Sequence, residues 1–276
     1  MGAGREAKST LSEMFGLEKP IIGVIHLLPL PGSPRYDGKL DLVLERAMRD
    51  AGALREGGVD GLIIENFGDA PYLKANVGPE TVTAMAAIAK EVVDAVDVPV
   101  GINVLRNDAK AALAIAIAAG GRFIRVNVLT EAIVGDQGII EACAPELIRY
   151  RRRLGAEGIK IFADVHVKHG ALLSPRPIEE SAKDAAYRGL ADALIVTGAR
   201  TGEAPELDDI ARVKGAVPDR PVLVGSGATK QNVARLLERA DGAIVGTTFK
   251  EGGNVENPVD ASRVRAFMAE VKKLRR

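Results

Sequence analysis

The sequence predicts an α/β fold, a single closed (β/α)8 barrel, from three observations. Eight short apolar runs recur along the chain, eight amphipathic or alanine-rich stretches alternate with them, and a length of 276 residues fits that unit. Strict alternation of strand and helix means parallel strands joined by crossover helices. An open doubly wound sheet is the rival, but no G-x-G-x-x-G follows the first run and the alternation continues unbroken to eight.

The expected strands are 20–26, 60–66, 98–104, 121–127, 158–166, 190–196, 220–225 and 241–246. They are rich in Ile, Val and Leu, as strands covered on both faces must be. The expected helices are about 40–56, 79–95, 108–119, 144–154, 179–188, 205–216, 229–239 and 260–275. Several carry start signals: Gly78-Pro79-Glu80, Asn107-Asp108, Ala204-Pro205-Glu206 and Ala228-Thr229. Glycines close others, at Gly57-Gly58, Gly120 and Gly155. Residues 1–19 read as a short helical lead-in covering the bottom of the barrel, and 20–276 as the barrel itself, one domain with no linker-like composition.

Composition narrows the function classes. Lys plus Arg and Asp plus Glu both total 37, so the net charge is zero and no basic excess marks a nucleic-acid binder. The run Arg149–Arg153, interrupted by Tyr150, reads as a solvated helix face. The lone Cys143 permits no intramolecular disulfide, which fits a reducing compartment; it reads as a small buried hydrophobe, with a helix-start thiol as the alternative. Met1 to Lys8 is not followed by an apolar core, and no apolar stretch is long enough to span a bilayer. These features predict a cytoplasmic protein without an integral membrane segment.

In this fold a site is built where strands reach their C-terminal ends. Those ends carry His26, Glu65-Asn66, Asn103, Arg125 and Asn127, Asp164 and His166, Thr197, Ser226 and Thr247. Glu, Asn, Arg and His after apolar interiors point to a polar ligand. After His26 the chain breaks into Pro29, Pro31 and Pro34, so 28–36 is expected to be a stiff, partly extended wall holding the imidazole. A structural histidine bonded to a backbone carbonyl is the alternative. The seventh strand ends in Gly225-Ser226-Gly227 and the eighth in Gly246-Thr247, where glycines let a phosphate approach backbone N–H groups. Thr197-Gly198-Ala199-Arg200-Thr201-Gly202, after the sixth strand, could close a third side. Period-two alternation places Asp164 and His166 on one face, a pair suited to acid/base work, opposite His26 across the barrel. Lys168 fits a phosphate contact, a Schiff-base nucleophile or a plain surface lysine. The long connection 129–144, with its polar tip Gly135-Asp136-Gln137-Gly138, is expected to be a mobile cover.

Several long segments resemble a known family: "GVIHLLPLPGSPRY" (23–36), "GVDGLIIENFGDAPY" (58–72), "RVNVLTEAIVGDQGIIE" (125–141), "KIFADVHVKH" (160–169), "LADALIVTGARTG" (190–202), "VLVGSGAT" (222–229) and "ADGAIVGTTFK" (240–250). They resemble the BtpA family of TIM-barrel proteins, related to the SgcQ proteins, from about Phe15 to the C-terminus. The resemblance implies a barrel of the phosphate-binding type, a link to photosystem I biogenesis in photosynthetic members, and no settled reaction.

The leading expectation is therefore an enzyme acting on a small phosphorylated metabolite, a sugar phosphate or nucleotide. Its catalytic residues would be Asp164, His166, His26 and Glu65. Its ligand-binding residues would be Asn66, Asn103, Arg125, Asn127, Lys168, Thr197, Gly198, Gly225, Ser226, Gly227, Gly246 and Thr247. Expected partners are that small molecule and further copies of the chain; no metal is assigned and the cofactor stays open. The alternatives are a non-catalytic assembly factor, a metal-dependent hydrolase using His26, Glu65, Asp164 and His166, and a flavin oxidoreductase whose phosphate would occupy the same two loops.

Overall fold

A computed structural model describes residues 10–198 and 200–275. The strands are β1 (Ile21–His26), β2 (Gly61–Glu65), β3 (Val100–Asn103), β4 (Phe123–Val126), β5 (Ala132–Gly135), β6 (Gly138–Glu141), β7 (Lys160–Val165), β8 (Gly170–Leu172), β9 (Ala193–Val196), β10 (Val222–Val224) and β11 (Gly242–Val245). Eight of them close a parallel barrel in the order β1-β2-β3-β4-β7-β9-β10-β11, with β11 returning to β1. The helices are α1 (Thr10–Phe15), α2 (Leu40–Gly57), α3 (Pro79–Ala95), α4 (Ala109–Ala119), α5 (Ala144–Arg153), α6 (Ile178–Lys183), α7 (Leu207–Ala216), α8 (Val233–Arg239) and α9 (Ala261–Leu274). The expected (β/α)8 architecture is thus present, with all eight barrel strands where the apolar runs lie. Among the described residues no helix is long and apolar enough to cross a membrane.

Alternation along the strands sorts the core into two layers. Ile22, Val24, Ile63, Phe123, Phe162, Ala193, Ile195, Leu223 and Ile244 fill the barrel interior. Their neighbours, such as Ile21, Ile25, Leu62, Ile64, Ile124 and Ile161, pack outward against the helices. Leu11 of α1 joins the interior layer with Met14 and Phe15, so this helix plugs the N-terminal end. Phe15 meets Phe123 edge-on at 6.2 Å. Residues 1–9 of the expected lead-in lie outside the described residues. A buried ion pair braces the outer layer: Lys250 Nζ donates to Asp50 at 2.8 Å, both side chains fully buried.

Two connections differ from expectation. The 129–144 segment, expected to be a mobile cover, is a hairpin. Strands β5 and β6 pair from Ala132↔Glu141 to Gly135↔Gly138, and β8 adds a third antiparallel strand. Ile133 and Ile140 turn inward onto Val128 and Val167, which gives the hairpin a small core of its own. The 28–36 loop folds into successive turns, closed by Ser33 N–H to Leu30 O and Tyr36 N–H to Ser33 O, and it does not line the cavity. Pro31 O accepts from the Thr81 hydroxyl at 2.7 Å and Leu30 N–H donates to Asp69 at 2.8 Å, so the loop is pinned from outside.

Candidate functional site

The inward positions of the barrel predict the site when each is advanced by two residues. Val24 leads to His26, Ile63 to Glu65, Gly101 to Asn103, Phe123 to Arg125 and then Asn127, Leu223 to Gly225, and Ile244 to Gly246. All these end residues line one cavity of about 530 Å³ at the C-terminal face. Register adds to alternation: His26 pairs laterally with Glu65, and Glu65 with Asn103, so three polar side chains stand in one row.

Arg125 is the hub of the floor. Its Nε and Nη2 donate to the two oxygens of Asp164 at 3.0 and 3.1 Å, and Nη1 donates to Glu65 Oε1 at 3.3 Å. Asn103 Nδ2 donates to the same Glu65 oxygen at 3.0 Å, and Asn127 Nδ2 to Asp164 at 2.6 Å. Burial opposes the guanidinium's charge, but the two carboxylates more than offset it and raise its pKa. A buried cation held between two carboxylates is stable only with this density of hydrogen bonds.

The His26 ring packs against Phe67 at a tilt of 38° with ring centroids 4.4 Å apart, and its Nε2 lies 3.9 Å from Glu65. Burial, then the charges of Lys250 and Lys168, push its pKa well below 6.5, so the ring is neutral at neutral pH. Its Nδ1 is buried without a partner among the described residues, and neither ring nitrogen bonds a backbone carbonyl there, which goes against the structural reading. The prolines act one step removed: they fix Leu30 to Asp69, and the short helical turn Phe67–Asp69 carries the aromatic ring against the imidazole.

The rim carries residues that strand ends could not announce. Tyr72, Arg106, Asp136, Gln137, His169 and Thr201 all line the cavity. Asp136 and Gln137 are the tip of the hairpin, which therefore reaches over the mouth. Arg106 donates to the carbonyl of Lys168, and His169 Nε2 sits 2.9 Å from the Thr201 hydroxyl. Lys168 lines the same space; burial, then Arg125, lowers its amine to about 8.

On the opposite rim lie Gly225-Ser226-Gly227-Ala228 and Gly246-Thr247-Thr248. Their hydroxyls are not equivalent. Ser226 accepts from Gly198 N–H at 3.0 Å and donates to Glu203 O at 2.7 Å, while Thr248 donates to Ala228 O. The Thr247 side chain makes no hydrogen bond among the described residues and lines the cavity, so it is free for a ligand.

Five expected site residues do not line the cavity. Asp164 lies beneath Arg125 and Asn127, its side chain fully buried, and serves to position them. His166 follows the end of β7 with φ 52°, which breaks the alternation and turns the ring outward to Ser181 Oγ at 3.0 Å. Ser181 gives its own proton to Glu131 at 2.8 Å, so the ring donates to it, and burial lowers rather than raises the imidazole pKa. The expected acid/base pair is thus not assembled. Asn66 follows Glu65 and points the other way, bonding Asp69 and both Leu105 backbone groups. Thr197 accepts from Lys168 N–H at 3.1 Å, and Gly198 is drawn in against Glu203. Cys143 is half-buried against the outer core layer rather than fully buried as expected: it donates to Val128 O, and burial pushes its thiol up to about 12. Among the described residues no three His, Cys, Asp or Glu side chains are grouped to hold a metal, since His166 and Asp164 are turned away from His26 and Glu65.

Comparison with known proteins gives consistent results. A model described as the BtpA family matches residues 17–273. The photosystem I biogenesis protein BtpA of Synechocystis is 48% identical over 258 residues, covering 94% of this chain and 90% of that one. Among solved structures, thiamine phosphate pyrophosphorylase of Pyrococcus furiosus superposes with a TM-score of 0.56 at 15% identity, covering 93% of this chain and 96% of that one. N-(5'-phosphoribosyl)anthranilate isomerase of the same organism gives a TM-score of 0.55 at 13% identity, covering 92% and 99%. At those identities the likeness concerns the fold.

Proposed function

The chain belongs to the BtpA family, and from that premise we propose that it is an enzyme acting on a small phosphorylated metabolite held in the cavity at the C-terminal face. The phosphate would sit between Gly225–Ala228 and Gly246–Thr248, where β10 and β11 end. The observation that carries the reading is the cavity's division of labour. One rim offers close backbone approach and the free Thr247 hydroxyl; the floor and far rim hold ionisable groups, His26, Glu65, Arg125, Arg106 and Lys168, around one space. Oxygen atoms of a phosphate suit glycine-rich backbone and a hydroxyl donor. Hydroxyls of a sugar or ribose suit Asn103 and Asn127, which can donate and accept. The two structural neighbours named above, a thiamine phosphate pyrophosphorylase and a phosphoribosylanthranilate isomerase, are named for phosphorylated compounds, which supports a ligand of this class.

A surface that only nucleates assembly of a partner complex would not need a guanidinium and two carboxylates desolvated beneath a cavity. The biogenesis role in the name of the Synechocystis relative is the second reading, supported by 48% identity. The test is thermal: inorganic phosphate should raise the melting temperature by mass action, and Thr247→Val, isosteric but lacking the hydroxyl, should weaken that response. A wild-type protein indifferent to phosphate and to phosphorylated sugars would favour the assembly factor.

A further inference from the structure

A phosphate-anchored ligand leaves the amine of Lys168 without an assigned task. We propose that Lys168 is the nucleophile of this site and that the ligand is a phosphorylated aldehyde or ketone, which the amine takes up as an imine. This rests on the phosphate reading above.

The backbone of Lys168 is held from both sides. Its N–H donates to Thr197 at the end of β9, and its carbonyl accepts from Arg106 on the loop after β3. The Cα is thus fixed while the side chain enters the cavity. In the barrel only β9 separates β7 from β10, so the amine emerges within two strands of the expected phosphate loops.

A fully buried lysine elsewhere in the fold shows what a structural amine looks like here. Lys250 is fully buried and locked to Asp50 at 2.8 Å. Lys168 has no ion-pair partner among the described residues, because the two nearby carboxylates are already engaged: Glu65 by Arg125 and Asn103, Asp164 by Arg125 and Asn127. Arg125 and Arg106 add positive charge beside the amine, so burial and like charge both favour the neutral form. With its amine at about 8, roughly one molecule in ten carries the free base at pH 7, against about one in several thousand for an ordinary lysine. A lysine kept to clamp a dianion is wanted charged; this environment favours a nucleophile.

The step balances without a further reactant. The amine nitrogen adds to the carbonyl carbon, forming a C–N bond. The carbonyl oxygen then leaves as water, carrying both amine protons, and the C=N bond remains. His26, neutral, and Glu65 share the cavity and can relay protons between nitrogen and oxygen.

Pyridoxal 5'-phosphate, a phosphorylated aldehyde, is the probe, with unphosphorylated pyridoxal as control. The full chain is incubated with each, reduced with borohydride, digested and mapped by mass spectrometry. Lys168 should be labelled at about tenfold lower reagent than any other lysine, only by the phosphorylated aldehyde, and inorganic phosphate should suppress the label. Lys168→Arg, which keeps charge but forms no imine, should lose the label and keep the thermal response to phosphate; Lys168→Met provides a second variant if the arginine does not fit. Labelling spread evenly over surface lysines, with the phosphate response intact, overturns the nucleophile and leaves the phosphate site standing. No phosphate response together with equal labelling by both aldehydes overturns the phosphate reading and this proposal with it.

Discussion

The carboxylate of Asp164 receives Nε and Nη2 of Arg125 at 3.0 and 3.1 Å, out of reach of the cavity that Arg125 lines. This geometry makes Asp164 a support for the cation and not a proton carrier. Removing its charge leaves a buried guanidinium compensated by Glu65 alone. Asp164→Asn should therefore cost on the order of 3 kcal/mol. In a chain of this size each kcal/mol lowers the melting temperature by roughly 2–4 °C. A thermal melt checks this: a variant as stable as wild type would mean that Asn127 and Glu65 suffice to hold Arg125.

Most of this site was legible because a barrel strand advances inward residues by two, so an apolar run ending in a polar residue announces its own lining. His26, Glu65, Asn103 and Arg125 followed from that rule. It failed at His166, where a left-handed residue ends the alternation just past β7. It could not reach Arg106, Tyr72, His169 or the hairpin tip, which arrive on loops whose path depends on tertiary contacts. The hairpin itself did leave a signal: "AIVGDQGIIE" is two short apolar runs about a polar turn, here read as loop because the barrel pattern did not require a strand.

Gly227 carries a structural demand that would obscure its use as a ligand-site probe. It sits at φ 68°, and a Cβ there would lie 2.0 Å from Ala204 N. Gly252 sits at φ 63° with nothing within 4 Å of the same position. Gly252→Ala should cost only the conformational term, about 1 kcal/mol. Gly227→Ala should cost clearly more, since backbone must move. Parallel melts without ligand measure the difference; equal losses would show that the 203–204 segment yields freely.

The hairpin should open separately from the barrel, because its core of Val128, Ile133, Ile140 and Val167 forms a cluster distinct from the barrel layers. Ile140 is 2% exposed, and Ile→Ala at such sites costs roughly 2–5 kcal/mol. In Ile140→Ala, a non-specific protease should cut faster between 135 and 138 while the main melting transition moves little. Wild type should be cut more slowly there, because the Gly135↔Gly138 pair closes the turn and β5 is paired on both sides behind it. A large drop in the main transition with no change at 135–138 would join the hairpin to the barrel as one cooperative unit.

His26 ties the site to the stability of the fold through pH. Its folded-state pKa lies well below the 6.5 of the unfolded chain, through burial first and the charges of Lys250 and Lys168 next. Below pH 6.5 the unfolded state therefore binds a proton that the folded state refuses, and stability falls as the pH is lowered. The loss grows at up to about 1.4 kcal/mol per pH unit until the folded ring itself protonates. His166 and His169 are also lowered by burial and act in the same direction. His26→Gln keeps a polar side chain of similar reach but removes the titration. Melting curves between pH 5 and 6.5 should accordingly show a shallower decline in His26→Gln than in wild type, with the two histidines left in place supplying the residual slope. Parallel declines would mean that the ring is solvated and charged in the folded protein, and that its place beside Phe67 and Glu65 does not exclude the proton.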